Sequence, residues 1–130
     1  MKNIQVVAGL IIQKDLVFCT KRKDKGPLAL KWEFPGGKIE QGETHEEALI
    51  RELKEELDVI VEVQNVYMTI NHEYPTFNLT MYVYQCTGDL SRYNLNEHSD
   101  AKWVAINDLS SLDWAEADLP VINKLRNILI

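Results

Sequence analysis

Residues 35–59 constrain this chain more than any other stretch, because a Gly-rich turn runs directly into an amphipathic, acid-crowded segment. Thr44 followed three residues later by Glu47 is the signature of a capping box, in which both side chains answer open backbone N–H groups. Leu49, Leu53 and Leu57 then recur every fourth residue with Ile50 beside them, so one stripe of a helix is apolar and faces a core. At about 100° per residue, Glu52, Glu55 and Glu56 share an arc next to that stripe. Like charges at this spacing cost roughly 0.2–0.5 kcal/mol per pair. Clustered carboxylate oxygens suit a hard divalent cation shared with substrate phosphates, and the helix taken alone reads equally as an acidic solvated face. Arg51, one turn before Glu55, is placed to hold that carboxylate. Gly36, Gly37 and Gly42 bracket a loop of the kind that brings backbone close to a ligand.

The rest of the chain narrows the partner class. One hundred and thirty residues at 45% hydrophobic content predict one domain, residues 1–130, with a real core. A formal net charge of −6 argues against a nucleic-acid polymer as partner, since such domains are basic. It is compatible with a small anionic ligand, because a bound cation and local Lys or Arg reverse the sign inside a site. Cys19 and Cys86 lack metal-type spacing and are expected to be reduced and structural. The early apolar run at 6–12 is too short to span a membrane, and no cleavage-like site follows it, so a cytoplasmic protein is expected.

Strand patterns occupy 4–12 and 16–20 around a Lys14-Asp15 turn, and a basic loop from Lys21 to Lys25 leads to Gly26-Pro27. Beyond the helix, strands are predicted at 59–63 and 66–70, broken at Gln64-Asn65, and at 78–86. A loop is predicted at 71–75 and another at 91–100, followed by a short strand at 102–104. Asn107-Asp108-Leu109 predicts a helical turn. A last amphipathic helix begins near Asp118 or Pro120, with Val121, Ile122, Leu125, Ile128 and Leu129 inward. Mixed strands with helices on two sides predict an α/β (α+β) class, an α/β/α sandwich around a mixed sheet.

Loop and helix together resemble the Nudix box. Gly37, Glu43, Arg51, Glu52, Leu53, Glu55, Glu56 and Val59 all fall at the family's spacing. Asp58 departs from the Gly usual there, at a position that calls for positive φ, which Asp tolerates better than most residues. The whole chain is similar to the MutT-like branch, through Trp32 to Glu40 entering the box and Ala117 to Ile122 near the end.

The resemblance implies a Nudix fold and a Mg2+-dependent nucleoside triphosphate pyrophosphohydrolase, with Mn2+ as a substitute ion. The products would be a nucleoside monophosphate and pyrophosphate, and the role nucleotide-pool sanitation. By position it implies metal ligation by the Gly36 carbonyl, Glu52, Glu55, Glu56 and Glu97, with Glu52 or Glu97 as base and Arg51 supporting the catalytic set. Lys21, Arg22 and Lys38 match phosphate contacts, and Glu43 serves the loop's geometry. Asp118 stands where MutT-type members have an Asn that reads 8-oxoguanine, and Phe77 stands near one of their arginines. Phe34, Phe77 or Tyr74 would stack on the base. An ionised Asp only accepts hydrogen bonds, which favours cytosine N4 or the guanine N1–H and N2 edge. The substrate class therefore stays open between 8-oxo-dGTP and CTP or a modified dCTP. Hydrolysis of ADP-ribose or of a dinucleoside polyphosphate is the alternative enzyme, and a non-catalytic nucleotide sensor the alternative class. The family occurs as monomer or homodimer.

Overall fold

The computed structural model describes residues 2–128. Its strands are β1 (Lys2–Gln13), β2 (Leu16–Arg22), β3 (Trp32–Glu33), β4 (Gly36–Lys38), β5 (Val61–Tyr74), β6 (Phe77–Gly88) and β7 (His98–Ala105). Helix α1 (His45–Leu57) follows β4, and α2 (Leu119–Ile128) ends the described chain. Short 3₁₀ turns at Ile106–Ser111 and Glu116–Asp118 connect β7 to α2.

Strand β1 is the axis of the sheet. It runs parallel to β6 from Lys2↔Phe77 to Ile11↔Cys86, and β6 pairs antiparallel with β5. On its other edge β1 takes β4 antiparallel, with Ala8 opposite Gly36. After Gln13 the chain turns through Lys14 at φ 59, and β2 leaves β1 after two pairs to be flanked by β3 and β7. The Val- and Ile-rich β1 is buried on both faces, as expected of a central strand that pairs in parallel. Val7 and Ile11 pack with Leu49, Leu53 and Leu57 of α1 on one side. Ala8 and Leu10 pack with Val121, Ile122 and Leu125 of α2 on the other. The α/β/α sandwich around a mixed sheet is therefore the observed architecture.

Helix α1 forms as its sequence dictates. Thr44 Oγ1 accepts from Glu47 N–H at 3.1 Å, and Glu47 Oε1 accepts from Thr44 N–H at 2.9 Å. Asp58 ends the helix in the left-handed region at φ 56, and its N–H bonds Lys54 O at 3.0 Å. Its carboxylate accepts from Lys54 Nζ at 2.7 Å, an anchor that glycine would lack.

Elsewhere the boundaries differ from expectation. The predicted break at Gln64-Asn65 is a bulged stretch inside the single strand β5, whose register shifts between Val63 and Val66 and again before Met68. Residues 71–74, expected in a loop, continue β5, because the ladder with β6 runs to Tyr74↔Phe77 and satisfies their backbone. The loop expected over 91–100 ends early, since His98, Ser99 and Asp100 already belong to β7. Asp118 closes a 3₁₀ turn and α2 starts at Leu119. The inward placement expected of the Ile128 side chain and of Leu129 lies outside the described residues. Cys19 and Cys86 are free and buried, and burial pushes both thiols up to about 12, so they are inert core groups.

Candidate active site

A cleft of about 320 Å³ opens between the end of β2, the β3–β4 segment, β6 and the 3₁₀ turn at Glu116–Asp118. Arg22, Glu33, Phe34, Glu56, Phe77 and Asp118 line it, together with Gly36, Lys38 and Tyr74. One end is built for a flat apolar group. Phe34 is 3% exposed and tilted against Trp114 at 4.9 Å, while Tyr74 and Phe77 lie ring to ring at 4.9 Å. The Tyr74 hydroxyl accepts from Ala117 N–H at 3.0 Å and fixes the turn that carries Asp118.

Asp118 is 4% exposed and accepts a hydrogen bond from Phe34 N–H at 3.2 Å, across 84 residues of chain. Burial drives its pKa well above the carboxylate range, and the charge of Glu33 adds to this, against the pull of Phe34 N–H and Arg22. Burial thus favours the protonated form of Asp118 over the ionised, accept-only form of the sequence reading. A neutral carboxyl carries an O–H donor and an acceptor, the same pair that an Asn amide presents.

Behind the Glu56 end of the cleft, one arginine holds the neighbouring carboxylates. Arg51 Nε and Nη2 grip Glu43 at 2.7 and 2.9 Å, and Nη1 donates to Glu52 Oε1 at 2.9 Å and to Glu55 Oε2 at 3.3 Å. Nη2 also donates to the Lys38 carbonyl at 3.0 Å, so the guanidinium ties the Gly turn to the helix. Glu43 accepts from Glu40 N–H at 2.8 Å, as its geometric role requires. The expected hold on Glu55 is present, but Glu43 is the closer partner. Gly37 lies against the Glu52 carboxylate so tightly that a Cβ there would collide with it. At Gly36 a Cβ would meet the Val7 carbonyl.

Burial raises the pKa of Glu52, with Arg51 opposing the shift. Glu56 is pushed up to about 9 by burial and then by the charges of Glu52 and Glu33, while the Gly36 N–H pulls the other way. Its Oε1 is buried without a hydrogen-bond partner. Glu97 is exposed, yet its loop is pinned to the end of α1. Asn94 N–H bonds Leu57 O at 2.9 Å, Asn96 N–H bonds Glu56 O at 3.1 Å, and the Asn96 amide bonds Glu55 O at 2.9 Å. The Glu97 charge is accordingly felt at Glu56.

Among the described residues no three His, Cys, Asp or Glu side chains converge closely enough to hold an ion. The donor set nevertheless fits a hard cation, because it is all carboxylate oxygen and includes the orphaned Glu56 Oε1. Of the expected phosphate contacts, Arg22 and Lys38 reach the cleft, while Lys21 is not among its lining residues. Glu33 and His98 were missed by sequence reasoning. Only the β2–β3–β7 pairing brings them together, and no local motif marks them.

The NUDIX domain profile matches residues 7–124. The chain belongs to the NUDIX family. It is 32% identical over 129 residues to the 8-oxo-dGTP diphosphatase of Escherichia coli, covering 98% of this chain and 100% of that one. Identity to the CTP pyrophosphohydrolase of the same organism is 28% over 122 residues, or 94% of this chain and 90% of that one. A solution structure of the DNA mismatch repair protein MutT, a Nudix hydrolase from methicillin-resistant Staphylococcus aureus 252, superposes with a TM-score of 0.75. That protein is 40% identical, over 96% of this chain and 97% of its own. Nudix hydrolases use a divalent metal, in keeping with the carboxylates of α1. No helix among the described residues is long and apolar enough to cross a membrane.

Proposed function

We propose that this chain is a nucleoside triphosphate pyrophosphohydrolase of the cytoplasmic nucleotide pool. It cleaves (deoxy)nucleoside triphosphates, including oxidised or modified ones such as 8-oxo-dGTP, between the α and β phosphates. The observation that carries this reading is the single cleft, which has the buried Asp118 carboxyl and Phe34 at one end and Glu56 beside the Gly turn at the other. A base seated against Phe34 and Phe77 directs its polyphosphate toward the carboxylates of α1.

In this reading Glu52, Glu55, Glu56, Glu97 and the Gly36 carbonyl hold Mg2+, or Mn2+ in its place. Bound there, a divalent ion would neutralise charge on the phosphate oxygens. Glu52 is the base. It would take a proton from the attacking water, and Glu97 is the second carboxylate able to do so. The water oxygen bonds to phosphorus as the bridging P–O bond breaks, and pyrophosphate departs. Arg22 and Lys38 bind the phosphates, and Arg51 keeps Glu52 and Glu55 in place.

Asp118 selects the base. A protonated Asp118 would present the donor and acceptor of an Asn, a pair that fits the guanine O6 and N1–H edge and also cytosine N3 and N4–H, so the likeness to the 8-oxo-dGTP diphosphatase carries the preference for 8-oxo-dGTP. The test is pyrophosphate release with Mg2+ over 8-oxo-dGTP, dGTP, dCTP, CTP and ADP-ribose, with Glu52→Gln as control. Preference for 8-oxo-dGTP and a dead control are expected. AMP from ADP-ribose, with no pyrophosphate from any triphosphate, would sink the reading.

A further inference from the structure

A second charged chain crosses the cleft wall, separate from the acidic helix. Glu33, at the end of β3, lines the cleft and is held on both carboxylate oxygens. Its Oε1 accepts from Arg22 Nη1 at 3.1 Å and its Oε2 accepts from His98 Nε2 at 3.1 Å. The Thr20 hydroxyl donates to the Glu33 carbonyl at 2.9 Å and fixes its backbone. Side-chain exposure rises along the chain, from 2% at His98 to 19% at Glu33 and 40% at Arg22. The order is that of a buried anchor, a linking carboxylate and a guanidinium that reaches solvent.

Among the described residues the His98 side chain has no other polar partner. His98 pairs with Arg22 across the β2–β7 ladder just past its register shift, and its Nδ1 is buried without a partner. A buried imidazole that makes one side-chain hydrogen bond is oriented by that bond and by packing. Arginine has a long flexible stem, and holding it before a ligand arrives removes part of the ordering cost of binding. We propose that His98 is a positioning residue that acts through Glu33 to aim the Arg22 guanidinium at the polyphosphate of a bound nucleotide. The proposal rests on the pyrophosphohydrolase reading and adds to it the two residues that set Arg22.

The experiment is a double-mutant cycle read in steady-state pyrophosphate release. A parallel readout is equilibrium binding of a non-hydrolysable α,β-methylene triphosphate. His98→Leu is expected to raise KM about tenfold, the scale of one charge-assisted hydrogen bond, with kcat within about twofold. His98→Gln, whose amide nitrogen reaches the Nε2 position, is expected to restore KM. In an Arg22→Ala background His98→Leu is expected to add nothing further. Additive losses overturn the proposal, as does a fall in kcat at constant KM, or a Gln variant as weak as Leu. If His98→Leu does not fold, Glu33→Gln with and without Arg22→Ala carries the same cycle. If the wild type releases no pyrophosphate, the function reading falls alone. The coupling is then judged in the binding assay, where its absence overturns the positioning role.

Discussion

Replacing Asp118 by Asn tests the protonation of the cleft directly. A carboxyl whose folded pKa is raised binds a proton more tightly in the native state than in the unfolded chain, whose value is near the ordinary 3.8. Between those two values the native state holds the extra proton, so stability falls as pH rises. The slope for one group is about 1.4 kcal/mol per pH unit. Asn carries no such linkage and keeps the oxygen that accepts from Phe34 N–H. The Asn variant should therefore match or trail wild type near pH 4 and gain on it steadily. The gain between pH 5 and pH 7 grows with the distance by which burial raises the Asp118 pKa above the ordinary value. Urea denaturation of both proteins at pH 5, 6 and 7, compared through midpoints at constant m, measures it. A stability difference that does not change with pH would show that Asp118 is ionised in the folded protein. It would also remove the donor assigned to base recognition. At pH 7 the same variant should keep the order of triphosphate preference.

Glu52→Gln should lower kcat on the order of 10²–10⁴-fold, the usual worth of a positioned base, with KM little changed. Gly37→Ala places a Cβ on the Glu52 carboxylate and should cost about 100-fold in kcat with an unaltered circular dichroism spectrum; wild-type turnover would mean that Glu52 does not act from its present position. Leu53→Ala, at a fully buried site between α1 and β1, should destabilise by about 2–5 kcal/mol in urea denaturation, with activity retained at low temperature.

The chemistry-bearing half of the site was legible because it is local. The capping box, the Leu49–Leu53–Leu57 stripe and the positive φ at Asp58 each follow from residues within a few positions of one another, and all appear as expected. The strand boundaries were less legible for a physical reason. Asn71 and His72 have weak strand preference, and it is the ladder to β6 that holds them extended, while Gln64 and Asn65 lie in the bulge between paired residues. The burial of Asp118 was not legible at all. It depends on the contact with Phe34 and on the turn that Tyr74 fixes, which no sequence window contains.

This division has a consequence for how the site works. One guanidinium, Arg51, answers the like charges of the box, so the crowding of Glu43, Glu52 and Glu55 is offset within the turn and helix that carry them. Only Glu56 is left with a buried, unpartnered oxygen, and it is the box carboxylate that lines the cleft. The strain that the acidic spacing creates is thus concentrated where an incoming cation relieves it. The other lining residues come from separate elements, Arg22 on β2, Glu33 on β3, Phe77 on β6 and Asp118 on a 3₁₀ turn. Those four elements meet only after the sheet has formed. Substitutions in the box should therefore change rate with base preference intact, and substitutions in the sheet-borne set should change preference or KM with metal dependence intact.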